Sequence, residues 1–298
     1  MKKILFIVNV DWFFVSHRLA IAQEAKRQGY EVHIATTITN KLDVMINNGL
    51  IVHNLKLTRG GANFSSLFEL WSFFTIIKAV EPDLVHLVTI KPVLLGGLAS
   101  RLAGVPALVS AVSGLGIAFS PNKLKYKFLR QFLYPLLRLA FNHKNQKIIF
   151  QNNYDHALLL SLKLISSTKS IIIKGSGVDL NTFRFLPEPN GVPIISFAAR
   201  LLIDKGVEVF VEASEILKKR KINIHFWFIG EPDTGNINSV SIKQLKEWES
   251  KGLIEWLGYR DDISYLFSKS NIVTLQSFYG EGLPAASMKG RRPRRQPA

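Results

Sequence analysis

The sequence predicts an α/β protein built as two doubly wound, parallel-sheet domains. Short Val- and Ile-rich runs alternate with helical segments through the first half, the pattern of strands covered on both faces. The alternation stops at residues 181–192, where two prolines and little periodicity mark a hinge, and restarts near residue 194. The length of 298 residues suits two domains of roughly 100–200 residues, each able to bury its own core.

The first domain is placed at 1–180. Met-Lys-Lys ahead of an apolar run has the opening of a secretion signal, but Asn9 and Asp11 interrupt it and no small-residue cleavage site follows. The run over 4–10 is therefore predicted as the first strand. A helical segment starts near His17 and stops at Gly29. A strand at 31–36, a helix near 41–48 and a strand at 51–55 follow. A helix around 67–80 precedes a strand at 84–88, and one over 93–102 precedes a strand at 107–112. The long helix from about 123 to 142 is followed by strands at 147–151 and 171–174. The longest uncharged stretch, 102–122, is about as long as a membrane span, but its glycines, prolines and serines predict a buried strand and a glycine loop.

The second domain is placed at 193–284. It opens with a strand at 194–199. The helix after Lys205 then carries Val207, Phe210, Val211, Ser214 and Leu217 on one face. Further strands are predicted at 224–229, 254–257 and 272–275. A ligand of two such domains is expected in a cleft between them, facing the carboxyl ends of the strands. Residues 285–298 carry five positive charges, no acid and no apolar periodicity. A functional basic tail is one reading; the preferred one is a truncation of the second domain or a reading-frame artefact, because the preceding strand lacks the helix that should cover it.

Composition excludes several classes. A chain that is 47% hydrophobic and 11% aromatic is not disordered. With no cysteine it has neither a disulfide framework nor a thiolate metal site. The formal charge of +16 is unevenly spread, because no acid lies between Asp83 and Asp155. Over that interval the helix from Lys123 interleaves Tyr126, Phe128, Phe132, Tyr134 and Phe141 with basic residues. Such a helix suits an anionic membrane surface, and it equally suits a core helix with a solvated basic face. Nucleic acid would attract the same charge, but no nucleic-acid-binding module is recognisable, and none is expected as a partner.

Common catalytic signatures are missing. There is no Gly-x-Gly-x-x-Gly after the first strand and no Gly-x-Ser-x-Gly elbow. Residues 230–236 have the spacing of a phosphate loop, but Asn236 stands where its lysine belongs. No Asp-x-Asp pair offers a metal clamp. The histidines at 33, 53 and 86 lie within predicted strands and read as structural. Two segments remain. Arg200 and Lys205 lie at a strand end and the start of the next helix, where they and the helix amides could meet a diphosphate; an ordinary surface pair is the alternative. Glu281, between Gly280 and Gly282 in a turn after another strand, could accept sugar hydroxyls, or the segment is a plain turn.

The combination resembles the family-4 glycosyltransferases. It rests on Arg200 and Lys205, then Gly258-Tyr-Arg260-Asp-Asp, then Glu281-Gly-Leu-Pro in the second half. In the first half it rests on His86, Lys91 and Pro92, on 98–106, on Ser113-Gly-Leu-Gly116 and on Gly175-Ser-Gly-Val-Asp179. It covers residues 1–284 and is nearest to bacterial enzymes that extend polyprenyl-diphosphate-linked sugars for O-antigen, capsule or protein glycans. The resemblance implies the GT-B fold of two Rossmann-like domains. It also implies retaining transfer of a hexose or N-acetylhexosamine from a UDP-sugar to a polyprenyl-diphosphate-linked saccharide, without metal or other cofactor. Arg200 and Lys205 would neutralise the departing diphosphate, and Glu281 would hold the donor sugar beside the amides of Gly282 and Leu283. Tyr259 and Arg260 would flank the base. A turn over 10–17, with His17, would close over the phosphates and acceptor, Lys91 and the basic helix would suit a diphosphate-lipid acceptor, and Ser113 and Gly114 would be among the substrate-binding residues. The protein would work in the cytoplasm, peripherally on the inner face of the membrane. Lys289 stands where the family carries a second glutamate, eight residues after Glu281. The alternative is an impaired fragment that only binds membrane or sugar nucleotide.

Overall fold

The structure is a computed structural model that describes residues 1–57, 65–115 and 125–277, except 180, 185, 234 and 237, with backbone alone for 65 and 125–132. The chain divides into two compact units, Met1–Ser176 and Gly177–Ala298.

In the first unit the strands are β1 (Lys3–Val10), β2 (Glu31–Thr37), β3 (Ile51–Asn54), β4 (Leu84–Val88), β5 (Ala107–Val112), β6 (Gln146–Phe150) and β7 (Ser170–Ile172). They form one sheet in the order β3-β2-β1-β4-β5-β6-β7, and every ladder is parallel. Alternate residues of the central strands feed two cores. Leu5, Ile7, Val85 and Leu87 enter one, while Ile4, Phe6, Val8 and Val88 enter the other. This is why the strands read as nearly continuous apolar runs.

The helices α1 (Asp11–His17), α2 (Leu19–Arg27) and α3 (Leu42–Asn47) supply Phe14, Ala22 and Met45 to the second core. The first core is covered by α4 (Ser65–Val80), α5 (Ile90–Ala103) and α6 (Lys125–Phe141), and by α7 (Asn153–Ser161). Helix α4 packs on α5, and α5 packs on α6. Gly97 permits the second of these contacts, since a Cβ there would meet the Ala140 Cβ at 2.9 Å.

The second unit has β8 (Ile194–Ala198), α8 (Val207–Lys219), β9 (His225–Ile229), α9 (Ile242–Ser250), β10 (Glu255–Trp256), α10 (Ile263–Lys269) and β11 (Ile272–Thr274). Its sheet has the order β10-β9-β8-β11, again entirely parallel. Phe197, Phe210, Phe226 and Phe228 pack ring on ring at its centre.

Each unit is thus Rossmann-like, and each sheet reverses its winding once, between β1 and β4 in the first and between β8 and β11 in the second. Beyond the carboxyl ends of such strand pairs the flanking loops diverge and leave a crevice, so these are the positions to search for a site.

Candidate functional site

In the second unit the loops leaving β8 and β11 carry the residues singled out from sequence. Residues 203–205 make a single 3-10 turn, and Gly206 then adopts φ +83° as the N-cap of α8. This brings the helix start against the segment after β11. A Cβ on Gly206 would fall 2.6 Å from the Gln276 Cβ and 2.9 Å from its carbonyl carbon. Lys205, at the start of α8, and Ser277, last described residue before the Glu281 segment, are therefore brought to one place. The Oε1 of Gln276 is buried there without a hydrogen-bond partner among the described residues. Glu281, Gly282 and Leu283 themselves lie outside the described residues, as does Lys289.

Arg200 and Lys205 sit close enough to repel. Burial, and secondly the Arg200 charge, push the Lys205 ammonium down to about 8 from 10.5, while Asp204 acts in the opposite direction. The Arg200 guanidinium donates to Asp233 at 2.9 Å, in a pair whose arginine is half exposed. Asp233 was not singled out from sequence. It lies inside the 230–236 stretch noted only for its failed phosphate-loop spacing.

The loop after β9 braces the loop after β8. Leu201 N–H donates to the Glu231 carbonyl (3.1 Å), Val240 N–H to the Leu201 carbonyl (3.0 Å) and the Asn238 amide to Asp204 (2.7 Å). Gly230, at φ +137°, lets the ends of β8 and β9 close up, because a Cβ would collide with the Ala199 carbonyl oxygen. Beyond β10, Tyr259 is positioned through its backbone N–H, which donates to Glu231 at 3.1 Å. Its phenol donates to Asp261 (3.0 Å), and Arg260 makes a two-pronged contact with Asp262 (2.8 and 2.6 Å). All of these residues stand in loops that follow carboxyl ends of the second sheet.

In the first unit the expected turn over 10–17 is instead mostly helical, as α1. Asp11 begins it and is fully buried. Its carboxylate accepts the N–H groups of Trp12 (2.7 Å), Thr39 (2.7 Å), Asn40 (3.0 Å) and Lys41 (2.9 Å), and the Thr39 hydroxyl (2.5 Å). Burial alone would raise its pKa, but those hydrogen bonds outweigh it and hold the group below 3.8. Asp11 thus ties the loop after β1 to the loop after β2. His17, at the end of α1, stacks on Phe13 at 4.2 Å.

The neighbouring Arg18 is buried and donates to Ser176 (3.0 Å) and to the His17 carbonyl (2.9 Å). Burial and secondly the Arg18 charge push His86 down to about 3, so it is a neutral ring stacked on Phe6 at 5.0 Å. That agrees with its structural assignment. His33 and His53 pair with each other at 2.9 Å. Thr89, at the carboxyl end of β4, holds φ +73° and has its Oγ1 buried without a partner among the described residues. A strained, unpartnered hydroxyl at the switch point of the first sheet is another sign of a site, missed from sequence.

Lys91, two residues on, pairs with Glu69 of α4 at 2.7 Å with both groups largely buried. Its charge therefore stabilises α4 against α5 and is not directed at solvent. Ser113 and Gly114 leave β5 in a half-buried loop. The next residue, Leu115, is pinned through a backbone hydrogen bond to Asp155. The rest of that loop, from Gly116, lies outside the described residues. Among the described residues there is no group of three or more His, Asp or Glu side chains placed to hold a metal, and no helix is long and apolar enough to cross a membrane.

Comparison with known proteins gives the same picture. Residues 3–152 match the family described as glycosyl transferase 4-like, and residues 179–288 match glycosyl transferases group 1. The N,N'-diacetylbacillosaminyl-diphospho-undecaprenol alpha-1,3-N-acetylgalactosaminyltransferase of Campylobacter jejuni is 26% identical, over 97% of this chain and 78% of that protein. The UDP-Gal:alpha-D-GlcNAc-diphosphoundecaprenol alpha-1,3-galactosyltransferase of Escherichia coli is 25% identical, over 78% of this chain and 61% of that protein. Among solved structures, an Anabaena protein, HepE, in complex with UDP and glucose aligns at TM-score 0.66 and 18% identity, over 93% of this chain and 74% of that one. A glycosyltransferase from Rickettsia africae aligns at 0.66 and 19%, over 94% and 74%. These structural neighbours establish the GT-B fold class.

Proposed function

The chain belongs to the glycosyl transferase 4-like family, and from that premise we propose that it moves a hexose or N-acetylhexosamine from a UDP-sugar to a polyprenyl-diphosphate-linked saccharide. The proposed transfer retains anomeric configuration and uses no metal or other cofactor. Support for the donor comes from the carboxyl edge of the second sheet, where Arg200, Lys205 and the segment leading to Glu281 converge at the switch point. Two cations seated there would stabilise the charge that grows on the diphosphate as the bond to the sugar breaks. Glu281 would accept sugar hydroxyls, and the exposed Tyr259 ring would lie along the base. Support for the acceptor comes from the undecaprenyl-diphosphate-linked saccharides named for the two bacterial relatives.

The polyprenyl chain of such an acceptor is anchored in a bilayer, so the protein would act peripherally at the cytoplasmic face. Titration calorimetry with UDP-glucose, UDP-galactose and their N-acetylamino counterparts tests the donor site. Binding of at least one, weakened on Arg200→Ala, is expected. Absence of heat with all four would refute it and leave the reading of an impaired chain.

A further inference from the structure

Arg18, the residue between α1 and α2, is 5% exposed. Burial disfavours its charge, and no acid among the described residues offsets that. Its Nη1 is taken up by the Ser176 hydroxyl and the His17 carbonyl, while its Nε is buried with no partner among the described residues. A cation held out of water without a counter-charge costs the fold stability. A guanidinium is also the group whose planar fork matches two oxygens of a phosphate.

The register of β1 and β4 sets what surrounds it. Phe6 lies opposite His86 in the ladder and stacks on its ring at 5.0 Å, and Phe14 meets Phe6 edge-on at 5.8 Å. The Arg18 N–H donates to the Phe14 carbonyl at 2.7 Å. The arginine therefore sits one helical turn beyond this stack, close enough for its charge to act on His86. The same ladder pairs Ile7 with Leu87, which puts Asn9 and Thr89 level with each other just beyond, where the strands diverge at the switch point. His86 Nε2, Asn9 Oδ1 and Thr89 Oγ1 are, like Arg18 Nε, buried without a partner among the described residues.

Thr89 shows why its hydroxyl is unspent. It is the N-cap of α5, yet its side chain makes no capping bond. A threonine in that place ordinarily accepts from the second or third amide of the helix, and the third residue of α5 is Pro92, which has no N–H. The φ of +73° is thus held without the bond that normally accompanies a cap. The start of α5 also carries positive partial charge, which favours an anion. A cation and a hydroxyl donor suit phosphate oxygens, and the Asn9 oxygen suits a hydroxyl. Together they describe a phosphate that carries a sugar.

We propose that Arg18 holds the phosphate of a glycosyl diphosphate at the switch point of the first sheet, with the Thr89 hydroxyl as a second donor and Asn9 accepting from a hydroxyl of the attached sugar. This deepens the proposed function and rests on it, since that reading supplies two molecules of this chemistry, the UDP-sugar and the polyprenyl-diphosphate-linked saccharide. Arg18 then provides the first unit with the cation that Lys91, committed to Glu69, does not.

The test is calorimetry on the full chain and on Arg18→Met, with UDP and with farnesyl-diphosphate-linked N-acetylglucosamine as probes. A loss of about 10- to 100-fold for the farnesyl compound, with UDP unchanged, assigns the site to the acceptor. The same loss for UDP assigns it to the donor. Thr89→Val, which removes the hydroxyl at nearly constant shape, is expected to weaken the same probe by about 3- to 10-fold, and it decides the matter if Arg18→Met fails to fold. Urea unfolding gives a second readout: Arg18→Met, relieved of an uncompensated charge, is expected to be at least as stable as wild type. A variant that loses stability and keeps both affinities would show the arginine to be structural and overturn the proposal. Affinities within about twofold of wild type in both variants would also overturn it, while UDP binding that still weakens on Arg200→Ala leaves the donor reading standing. Wild type that binds neither probe would remove both.

Discussion

Raising the pH through 8 should strip the proton from Lys205 and weaken its hold on a nucleotide-sugar diphosphate. Burial, followed by the Arg200 charge, displaces this group from 10.5 to about 8, which corresponds to about 3 kcal/mol against the protonated form in the free protein. A bound diphosphate adds negative charge beside it and returns the pKa upward. Affinity should therefore be level below about pH 8 and then fall, approaching tenfold per pH unit, with proton uptake on binding above that point. At pH 9 about one molecule in ten still carries the proton, so binding should be roughly tenfold weaker than at pH 7.

The sign for stability is the reverse. A cation with a depressed folded-state pKa weakens the fold below that pKa, and the penalty is relieved as pH rises from about 8 toward 10.5. Lys205→Met should accordingly stabilise the free protein at pH 7 by up to about 3 kcal/mol while losing most donor affinity, a separation between fold and function that a merely structural lysine would not produce. Calorimetry in two buffers of different ionisation enthalpy, from pH 6.5 to 9, counts the protons. An affinity profile that breaks at the same pH in wild type and Lys205→Met would refute the assignment.

Three further outcomes follow from neighbouring geometry. Arg200→Ala should cost about 10- to 100-fold in UDP-sugar affinity, as expected for a charge-assisted contact, whereas Asp233→Asn should leave affinity equal or higher because it removes a competitor for the same guanidinium; calorimetry on both separates the roles. Gly206→Ala should destabilise the second unit by about 1–3 kcal/mol, since it forces a side chain into φ +83° and against Gln276; urea unfolding measures this. Asp11→Asn should cost about 1–3 kcal/mol, and it should remove part of the acid sensitivity, because a carboxylate held below 3.8 contributes above that pH and loses its contribution as pH falls. Equal acid unfolding midpoints for the variant and wild type would count against that account.

The described strands of both sheets could be found from sequence, most plainly the central ones, β1, β2, β4 and β5, because a strand buried on both faces is a run of apolar residues with no polar alternation to blur it. The shorter helices were harder. Helix α1 begins with a buried acid, Asp11, which from sequence looks like an end to apolar structure; its five donors come from residues 12 and 39–41, and nothing in the composition of those residues announces them. Helix α9 does carry a signal in its sequence, the capping box of Ser241 and Gln244.

The candidate site divides along the same line. Arg200 and Lys205 were recognisable because cations at a strand end and a helix start have a physical use there regardless of the rest of the fold. Asp233, 33 residues from Arg200, became visible only when the loops after β8 and β9 met. Lys91 shows the converse: a lysine at a helix start reads as available from sequence, and the fold spends it on Glu69, which is buried and needs a counter-charge. Leu67, Phe68 and Trp71 of α4, all exposed, make the sharpest case. Leu, Phe and Trp in a helix read as core in any window of sequence, and only the packing of α5 against the opposite side decides which of them are left facing out.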